Sequence, residues 1–169
     1  MSRMHPVAPT SDQATPEELI RLRAVADYQF GRGAGRALFP DEISVVRSRK
    51  TGKIKGIFLN HEHLATLKPS DGYLALSVPG GNRLLRAFQP PRHRVVIMDE
   101  VAEFIKSGRN LFAKHVVEVD SSIRPGEEVI ITDTKGNLLA VGKAVLSGKE
   151  MKQFKKGLAV NVRRGTGDE

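Results

Sequence analysis

Two histidines separated by a single residue, His61 and His63, are the pattern in this sequence that comes closest to a metal-binding pair. Alternation along a strand would place both imidazoles on one face, where they could share a metal ion. No third ligand stands nearby, and the 169 residues contain no cysteine, which excludes disulfides, thiolate catalysis and cysteine-based zinc or iron–sulfur sites. We therefore interpret this segment as a solvated turn and predict no metal site.

Carboxylates that could act as general acids or bases are scattered along the chain, at Asp27, Asp41, Glu42, Asp71, Asp99 and Asp120. A helix cap or a turn accounts for each of them, and no serine–histidine–aspartate spacing emerges. The glycine-rich stretch from Gly31 to Arg36 follows a helix and lacks the Gly-Lys-Ser/Thr of a phosphate-binding loop. We predict a helix stop and tight turn there, no catalytic residue and no cofactor.

Positive charge is the strongest chemical signal in the sequence. Lysine and arginine number 27 against 19 acidic residues, which gives a formal net charge of +8. Such an excess favours a polyanionic partner, because lysine and arginine release counterions from phosphates. With 40% hydrophobic residues the chain should fold. We expect a soluble, cytoplasmic protein, since no stretch is apolar enough to span a membrane or to serve as a signal peptide.

The first half of the chain predicts an α+β domain over residues 16–90, after a flexible leader over residues 1–15. Thr15-Pro16-Glu17-Glu18 is typical of a helix start, and an apolar stripe continues to Phe30. A β-hairpin is expected from 43–47 and 54–59, followed by strands over 64–67 and 73–78 and a helical turn over 82–88. The basic tip of the hairpin is either a second contact patch or a device that protects an edge strand.

The second half predicts a small, mostly-β barrel with short helices over residues 91–165, and a tail over 166–169. Two prolines in Gln89-Pro90-Pro91-Arg92 stiffen an extended polar link, which makes this segment the expected domain boundary. Strands are predicted over 94–98, 129–132, 138–145 and 158–162. Asp99 and Ser147 are the expected caps of two short helices.

Three segments of the second half resemble the PUA domain, the RNA-binding domain of pseudouridine synthases and archaeosine transglycosylases. They read FIKSGRNLFAKHV, IRPGEEVIITDTKGNLLAVGKAVLSGKEM and GLAVNVRRG. Upstream, LRAVADYQFGRGAGRALFP and SRKTGKIKGIFL resemble the domain that precedes PUA in archaeal tRNA-guanine transglycosylase and archaeosine synthase. The catalytic barrel and zinc site of the transglycosylase do not fit into 169 residues without cysteine, so the chain resembles the RNA-binding tail alone.

The resemblance implies an RNA groove between the first PUA helix with its following loop, a strand-helix region and the last strand. Phosphates would pair with the lysines and arginines, and Asn110 would read a base or ribose edge. For Phe112 we favour core packing over base stacking, because its neighbours are apolar. The implied contact residues are Lys106, Gly108, Arg109, Asn110, Leu111, Phe112, Ala113, Lys114, Lys143, Ser147, Lys149, Lys152, Arg163 and Arg164.

The leading hypothesis is non-catalytic binding of structured RNA, either tRNA or rRNA, in RNA modification or ribosome biogenesis. One alternative is an RNA-modifying enzyme, or its targeting subunit, in the formation of archaeosine in tRNA. Another is a protein–protein adaptor in ribosome assembly. Turnover on bulk tRNA would distinguish the enzyme, and a binding reaction with little salt dependence would distinguish the adaptor.

Overall fold

A computed structural model describes residues 12–167, and the internal contacts divide the chain into two units that meet between Leu74 and Ala75. Each unit is treated separately below. The predicted leader over residues 1–15 lies mostly outside the described residues, and so do the last two residues of the predicted tail. None of the helices in the described part of the chain is long and apolar enough to cross a membrane.

The first unit combines a five-stranded sheet with two helices that lie between its first and second strands in the sequence, as expected for an α+β domain. The sheet order is β1-β2-β3-β4-β5, and the pairs from β1 to β4 are antiparallel. The elements are β1 (Asp12–Gln13), α1 (Pro16–Phe30), α2 (Ala34–Leu38), β2 (Ser44–Arg47), β3 (Ile54–Leu59), β4 (Glu62–Leu67) and β5 (Leu74–Leu76), the last of which runs across the division.

Helix α1 begins and ends where the sequence predicts. The Thr15 hydroxyl accepts a hydrogen bond from the Glu18 backbone at 3.1 Å, and the Glu18 carboxylate accepts one from the Thr15 backbone at 3.0 Å. Gly31 ends the helix at a φ of 110°. The predicted turn after it is present, but it leads directly into helix α2, which the sequence analysis did not predict. A Cβ on Gly35 would lie 2.4 Å from the Arg23 carbonyl oxygen, so glycine allows the two helices to touch.

The second unit is a nearly closed, barrel-like sheet with short helices, as expected. The strand order is β7-β11-β10-β9-β6-β8, and every pair is antiparallel except β6 with β9. The elements are α3 (Val78–Ala87), β6 (Arg94–Ile97), α4 (Ala102–Lys106), β7 (Leu111–Phe112), β8 (Val116–Val119), β9 (Glu128–Thr132), β10 (Leu138–Ala144), α5 (Gly148–Gln153) and β11 (Leu158–Gly165). Short 3-10 turns at 99–101 and 113–115 flank α4 and β7.

Helix α3 is longer than the helical turn predicted over 82–88. The Ser77 hydroxyl caps it by accepting a hydrogen bond from the Gly80 backbone at 3.1 Å. The helix begins at Val78, four residues before the predicted turn, and Gly80 and Gly81 are buried inside it. A Cβ on Gly81 would lie 2.6 Å from Val141 Cγ1, which shows why a glycine is needed where α3 packs on β10.

The barrel core explains the apolar runs of the sequence. All five residues of β9 are buried, and six of the seven residues of β10 are buried as well. Val95, Ile97, Ile131 and Val160 are fully buried in the same cluster. Helix α4 and the edge strand β7 each contribute one side chain to this cluster, Ile105 and Leu111, and the exposed loop between them belongs to the candidate site.

Candidate nucleic-acid interface

The loop between α4 and β7 is shaped by Gly108. Its backbone φ of +96° lies in the left-handed region, which turns the chain out of the helix. The Gly108 and Arg109 backbone N–H groups donate to the carbonyls of Ile105 and Phe104, at 3.0 and 3.2 Å. Leu111 is fully buried and anchors the far end of the loop. The residues between these two anchors face outward, as the sequence analysis expected of a contact loop.

A groove of about 620 Å³ opens beside this loop. Its most exposed large hydrophobic side chains are Phe104, at 55% exposure, and Phe112, at 47%. The guanidinium carbon of Arg109 lies 5.7 Å from the centroid of the Phe104 ring, within the range of a cation–π contact. The lining residues are Val101, Phe104, Ile105, Gly108, Arg109, Asn110, Phe112 and His115.

The prediction that Phe112 packs in the core is wrong. Strand β7 has only two residues, and alternation along it turns Leu111 inward and Phe112 outward. An exposed phenylalanine beside a groove offers its ring to a flat ligand, which is the reading that the sequence analysis ranked second. Phe104, which was not among the implied contact residues, lies in the same groove.

Asn110 ties the loop to the last strand of the barrel. Its side-chain oxygen accepts a hydrogen bond from the Val162 backbone at 2.9 Å. The side chain is exposed, so its NH₂ group is the part that faces outward for a ligand. A single amide thus fixes the loop on β11 and presents two donors at the rim of the groove.

The predicted cations differ in how much of their charge is compensated. Lys106 forms an exposed ion pair with Glu103 at 3.4 Å. Within residues 12–167, no ion pair involves Arg109 or Lys114, and both side chains are exposed. The other exposed cations from the predicted set are Lys143, Lys149, Lys152 and Arg164.

Arg163 and Ser147 both have structural partners. The Arg163 guanidinium donates to the carboxylate of Glu128, which is 3% exposed, at 2.9 Å through Nη1 and by a shorter contact through Nη2. It also donates to the Leu76 carbonyl at 2.6 Å. Ser147 caps helix α5 by accepting from the Glu150 backbone at 3.1 Å. The Leu111 and Ala113 side chains are buried, so a ligand would meet only their backbone.

Comparison with known protein families matches both halves of the chain. Residues 20–91 match the patch-forming domain C2 of tRNA-guanine transglycosylase, and residues 93–166 match the PUA domain. The chain therefore consists of a C2 domain followed by a PUA domain.

Archaeal proteins are among the relatives. The chain is 42% identical over 153 residues to the tRNA-guanine(15) transglycosylase of Methanothermobacter thermautotrophicus, which covers 90% of this chain and 23% of the relative. It is 47% identical over 144 residues to the transglycosylase of the same name from Thermococcus kodakarensis, which covers 85% of this chain and 24% of that one. The chain thus spans about a quarter of the length of these curated relatives.

Solved structures share the fold. A hypothetical protein from Pyrococcus horikoshii superposes with a TM-score of 0.75 at 22% identity, covering 95% of this chain and 96% of that one. A conserved PUA domain protein from Thermoplasma acidophilum gives a TM-score of 0.69 at 23% identity, with the same coverage. Residues 75–91 match the C2 family, although in the structure they pack with the PUA unit.

A second loop beside the groove was missed in the PUA domain. Phe154 is 44% exposed and precedes two exposed lysines, Lys155 and Lys156. The loop adjoins β7, because the Gly157 carbonyl accepts a hydrogen bond from the Ala113 backbone at 2.9 Å. In the sequence this loop is an aromatic residue followed by two lysines and a glycine, a pattern that could have indicated a contact loop.

In the C2 domain, the cations of the basic hairpin fall into two groups, one paired with carboxylates and the other exposed. Arg47 pairs with Glu18 at 2.6 Å and with Asp12 at 3.0 Å, and its hydrogen bond lowers the pKa of Glu18. The remaining cations near the tip, Arg49, Lys50, Lys53 and Lys55, are exposed.

The histidine pair has local partners in the C2 domain. His63 Nε2 lies 3.1 Å from the Thr66 hydroxyl, and the His63 ring contacts Phe58. His61 is exposed at a turn with a φ of 66°. Among the residues that the structure describes, no group of three or more histidine, cysteine or acidic side chains is placed to hold a metal ion.

Proposed function

We propose that this chain binds structured RNA through the groove of its PUA domain, and that the RNA is a tRNA. The observation that carries the proposal is one groove lined by two exposed phenylalanine rings and by Arg109, a cation with no ion pair among the described residues. The identity of 42–47% to proteins named tRNA-guanine(15) transglycosylases supports tRNA as the RNA class. The net charge of +8 supports a polyanionic partner of any kind.

The groove suits unpaired nucleotides at the end or in a loop of a folded RNA. Aromatic rings stack on any base, and each stacked base contributes about 1–3 kcal/mol. Phe104 and Phe112 offer two such surfaces, and Arg109 is already held over the first of them. Lys114, together with the lysines of α5 and its following loop, would neutralise neighbouring phosphates.

We further propose that the chain does not itself catalyse a reaction on RNA. Five of its six acidic candidates have structural partners that support this proposal. Asp27 accepts from the Gly35 backbone, Asp41 pairs with Arg23, and Asp71 pairs with Lys68. The Asp99 carboxylate accepts a hydrogen bond from the Thr134 hydroxyl, and the Asp120 carboxylate accepts from the backbone N–H groups of Ser122 and His93. The role of the chain would be to hold RNA for a modification reaction, alone or as a targeting subunit.

Binding to unmodified tRNA, measured by fluorescence anisotropy, tests the proposal. The double variant Arg109→Ala/Lys114→Ala should weaken binding by about 1–3 kcal/mol, which is roughly 5- to 150-fold, without unfolding the domain. Lys50→Ala/Lys53→Ala removes the same charge from the C2 hairpin and is the matched control. Equal losses in both variants would show a diffuse basic surface, and the groove would then not be the RNA site.

Two further outcomes separate the alternatives. Nucleoside analysis of bulk tRNA after incubation with the protein would reveal an enzyme if a modified base accumulates. If the chain fails to bind tRNA but captures a ribosome-assembly protein with little salt dependence, it is an adaptor. Crosslinking followed by sequencing of the bound RNA would identify the nucleotides in the groove.

A further inference from the structure

Helix α4, which carries Phe104 on one wall of the groove, is too short to be stable alone. It has five residues, whereas isolated helices of fewer than about 12–15 residues are marginal in water. The last four carbonyl groups of a helix have no donor within the helix, so they need partners elsewhere in the folded chain. The source of those partners therefore decides where this wall of the groove stands.

The loop that follows α4 supplies partners for three of its last four carbonyls. The donors are the backbone N–H groups of Ser107, Gly108 and Arg109. The fourth carbonyl, that of Lys106, accepts from the backbone N–H of Gly167 at 2.9 Å. A residue beyond the last strand of the barrel thus completes the end of a helix that lies far away in the sequence.

Gly165, at the end of β11, brings that strand into direct contact with the same end of α4. A Cβ on Gly165 would lie 2.1 Å from the Lys106 carbonyl oxygen and 2.8 Å from that of Ile105, so any side chain would force the two segments apart. Between the two glycines, the Thr166 backbone donates to the Leu139 carbonyl of β10 at 2.9 Å. Segment 165–167 is therefore fixed on the barrel while it touches the helix end.

A second contact ties the groove loop to β11 on the loop's other side. The Val162 backbone N–H donates to Asn110 Oδ1 at 2.9 Å. Arg109 lies between this bond and the one from Gly167 to Lys106. The end of one strand thus holds the loop from both sides, although none of the described residues 162–167 lines this groove.

We propose that segment 165–167 is a positioning element for RNA binding, which holds α4 so that Phe104 and Arg109 are in place before the RNA arrives. A preorganised site binds more tightly, because the free protein has already lost the conformational freedom that binding would otherwise cost. The effect on RNA affinity rests on the proposed function. The effect on the position of α4 does not.

Gly165→Ala tests the proposal by adding one methyl group where the structure leaves no room for it. The matched control is Gly81→Ala, whose Cβ would lie 2.6 Å from Val141 Cγ1 in the contact between α3 and β10. Both variants should unfold at lower urea concentration than the unmodified chain, because both overpack a close contact. Under conditions in which both are folded, only Gly165→Ala should lose affinity for tRNA, by roughly 5- to 50-fold, since two side chains must then be ordered on binding.

A second pair of variants removes one hydrogen bond and adds nothing at the closest contact. Gly167→Pro lacks the N–H that donates to the Lys106 carbonyl, whereas Gly167→Ala keeps it. Gly167→Pro should therefore weaken tRNA binding in the same way as Gly165→Ala. Gly167→Ala should bind nearly as the unmodified chain does, because its Cβ would lie 3.1 Å from the Lys106 oxygen, where a small shift suffices.

A reporter on α4 follows the helix without RNA. The sequence contains no tryptophan, so Phe104→Trp places a single indole on the groove wall, at a position that is 55% exposed. In this background, Gly165→Ala and Gly167→Pro should shift the emission to longer wavelength and increase quenching by acrylamide. Gly81→Ala should change neither, although it also lowers the stability of the domain.

The two measurements separate failure of this inference from failure of the proposed function. If the unmodified chain does not bind tRNA, the proposed function fails, and the indole still decides whether the segment positions α4. An indole signal that is the same in Gly165→Ala, Gly167→Pro and Gly81→Ala would overturn the positioning role. Equal losses of tRNA affinity in Gly165→Ala and Gly81→Ala would also overturn it, because the loss would then follow from stability alone.

Discussion

Replacing Arg163 with alanine should destabilise the PUA domain much more than replacing its neighbour Arg164, although each change removes one positive charge. Arg163 supplies two hydrogen bonds to the carboxylate of Glu128, which is 3% exposed, and one to the Leu76 carbonyl. Removing one partner of a fully buried ion pair costs about 3–5 kcal/mol. Because the Arg163 side chain is 37% exposed, solvent reduces that cost, and we expect about 2–3 kcal/mol.

Urea unfolding measures this difference directly. At a slope of about 1–3 kcal/mol per molar, the midpoint of Arg163→Ala should fall by roughly 1–2 M, and that of Arg164→Ala should change little. The double variant Glu128→Ala/Arg163→Ala should lose less stability than the sum of the single variants, because the two side chains are in contact. The reasoning is refuted if Arg163→Ala is as stable as Arg164→Ala and loses RNA affinity as Arg109→Ala does. Arg163 would then be a surface ligand for phosphate, as the family resemblance first implied.

Four further outcomes follow from the structure and from the proposed RNA site. The logarithm of the RNA binding constant should fall with the logarithm of the salt concentration at a slope of about −3 to −5, for four to six neutralised phosphates. A binding constant that does not change in a titration from low to high salt would favour a protein partner. Phe112→Ala should cost about 1–3 kcal/mol of RNA affinity while Phe112→Trp retains it, and equal losses in an anisotropy assay would argue against stacking. Burial raises the pKa of Asp120, but the hydrogen bonds from Ser122 and His93 outweigh it and hold the pKa below the usual 3.8. The stability that Asp120 contributes should therefore be present at neutral pH and be lost as the pH falls below about 4. Unfolding curves measured at each pH should show this loss in the unmodified protein and not in Asp120→Asn. We also propose that the boundary between the two domains lies near Gln89 to Arg92, where the two family matches meet, although residues 75–91 pack with the PUA unit. Trypsin should therefore cut first after Arg92 or within the first fifteen residues, and early cuts elsewhere, with that bond protected, would contradict the proposal.

Local signals made much of the fold predictable. The capping box at Thr15 and the glycine at 31 define α1 to the residue, and the same box at Ser147 and Glu150 starts α5. Turn residues such as Gly136 define the hairpins, since few other residues adopt its φ of 88°. These features depend on neighbours within four residues, which is the range over which a sequence pattern carries information.

Features that depend on distant residues could not be read in this way. The helical turn was predicted to begin only after Gly81, yet the absence of a side chain at Gly81 allows close contact with Val141, sixty residues further on. Arg163 was read as a phosphate ligand because its partner Glu128 is remote in sequence. In the sequence, Phe112 lies between the buried residues Leu111 and Ala113. Only its place in strand β7, directly after the inward-facing Leu111, shows that its ring faces outward. In each case the deciding feature depends on the nearly closed sheet of the PUA unit.

The groove should select RNA by its structure more than by its sequence. Stacking on Phe104 and Phe112 tolerates every base, and contacts of Arg109 and Lys114 with phosphates carry no base identity. The outward NH₂ group of Asn110, the half-buried His115 ring and the backbone of the loop remain to read base edges, and the Asn110 oxygen already accepts from the Val162 backbone. Such a site distinguishes unpaired nucleotides that can enter a groove from a continuous duplex whose bases are stacked inside. The affinity for a folded RNA should therefore depend on where its unpaired bases lie relative to the phosphates that the surrounding lysines reach.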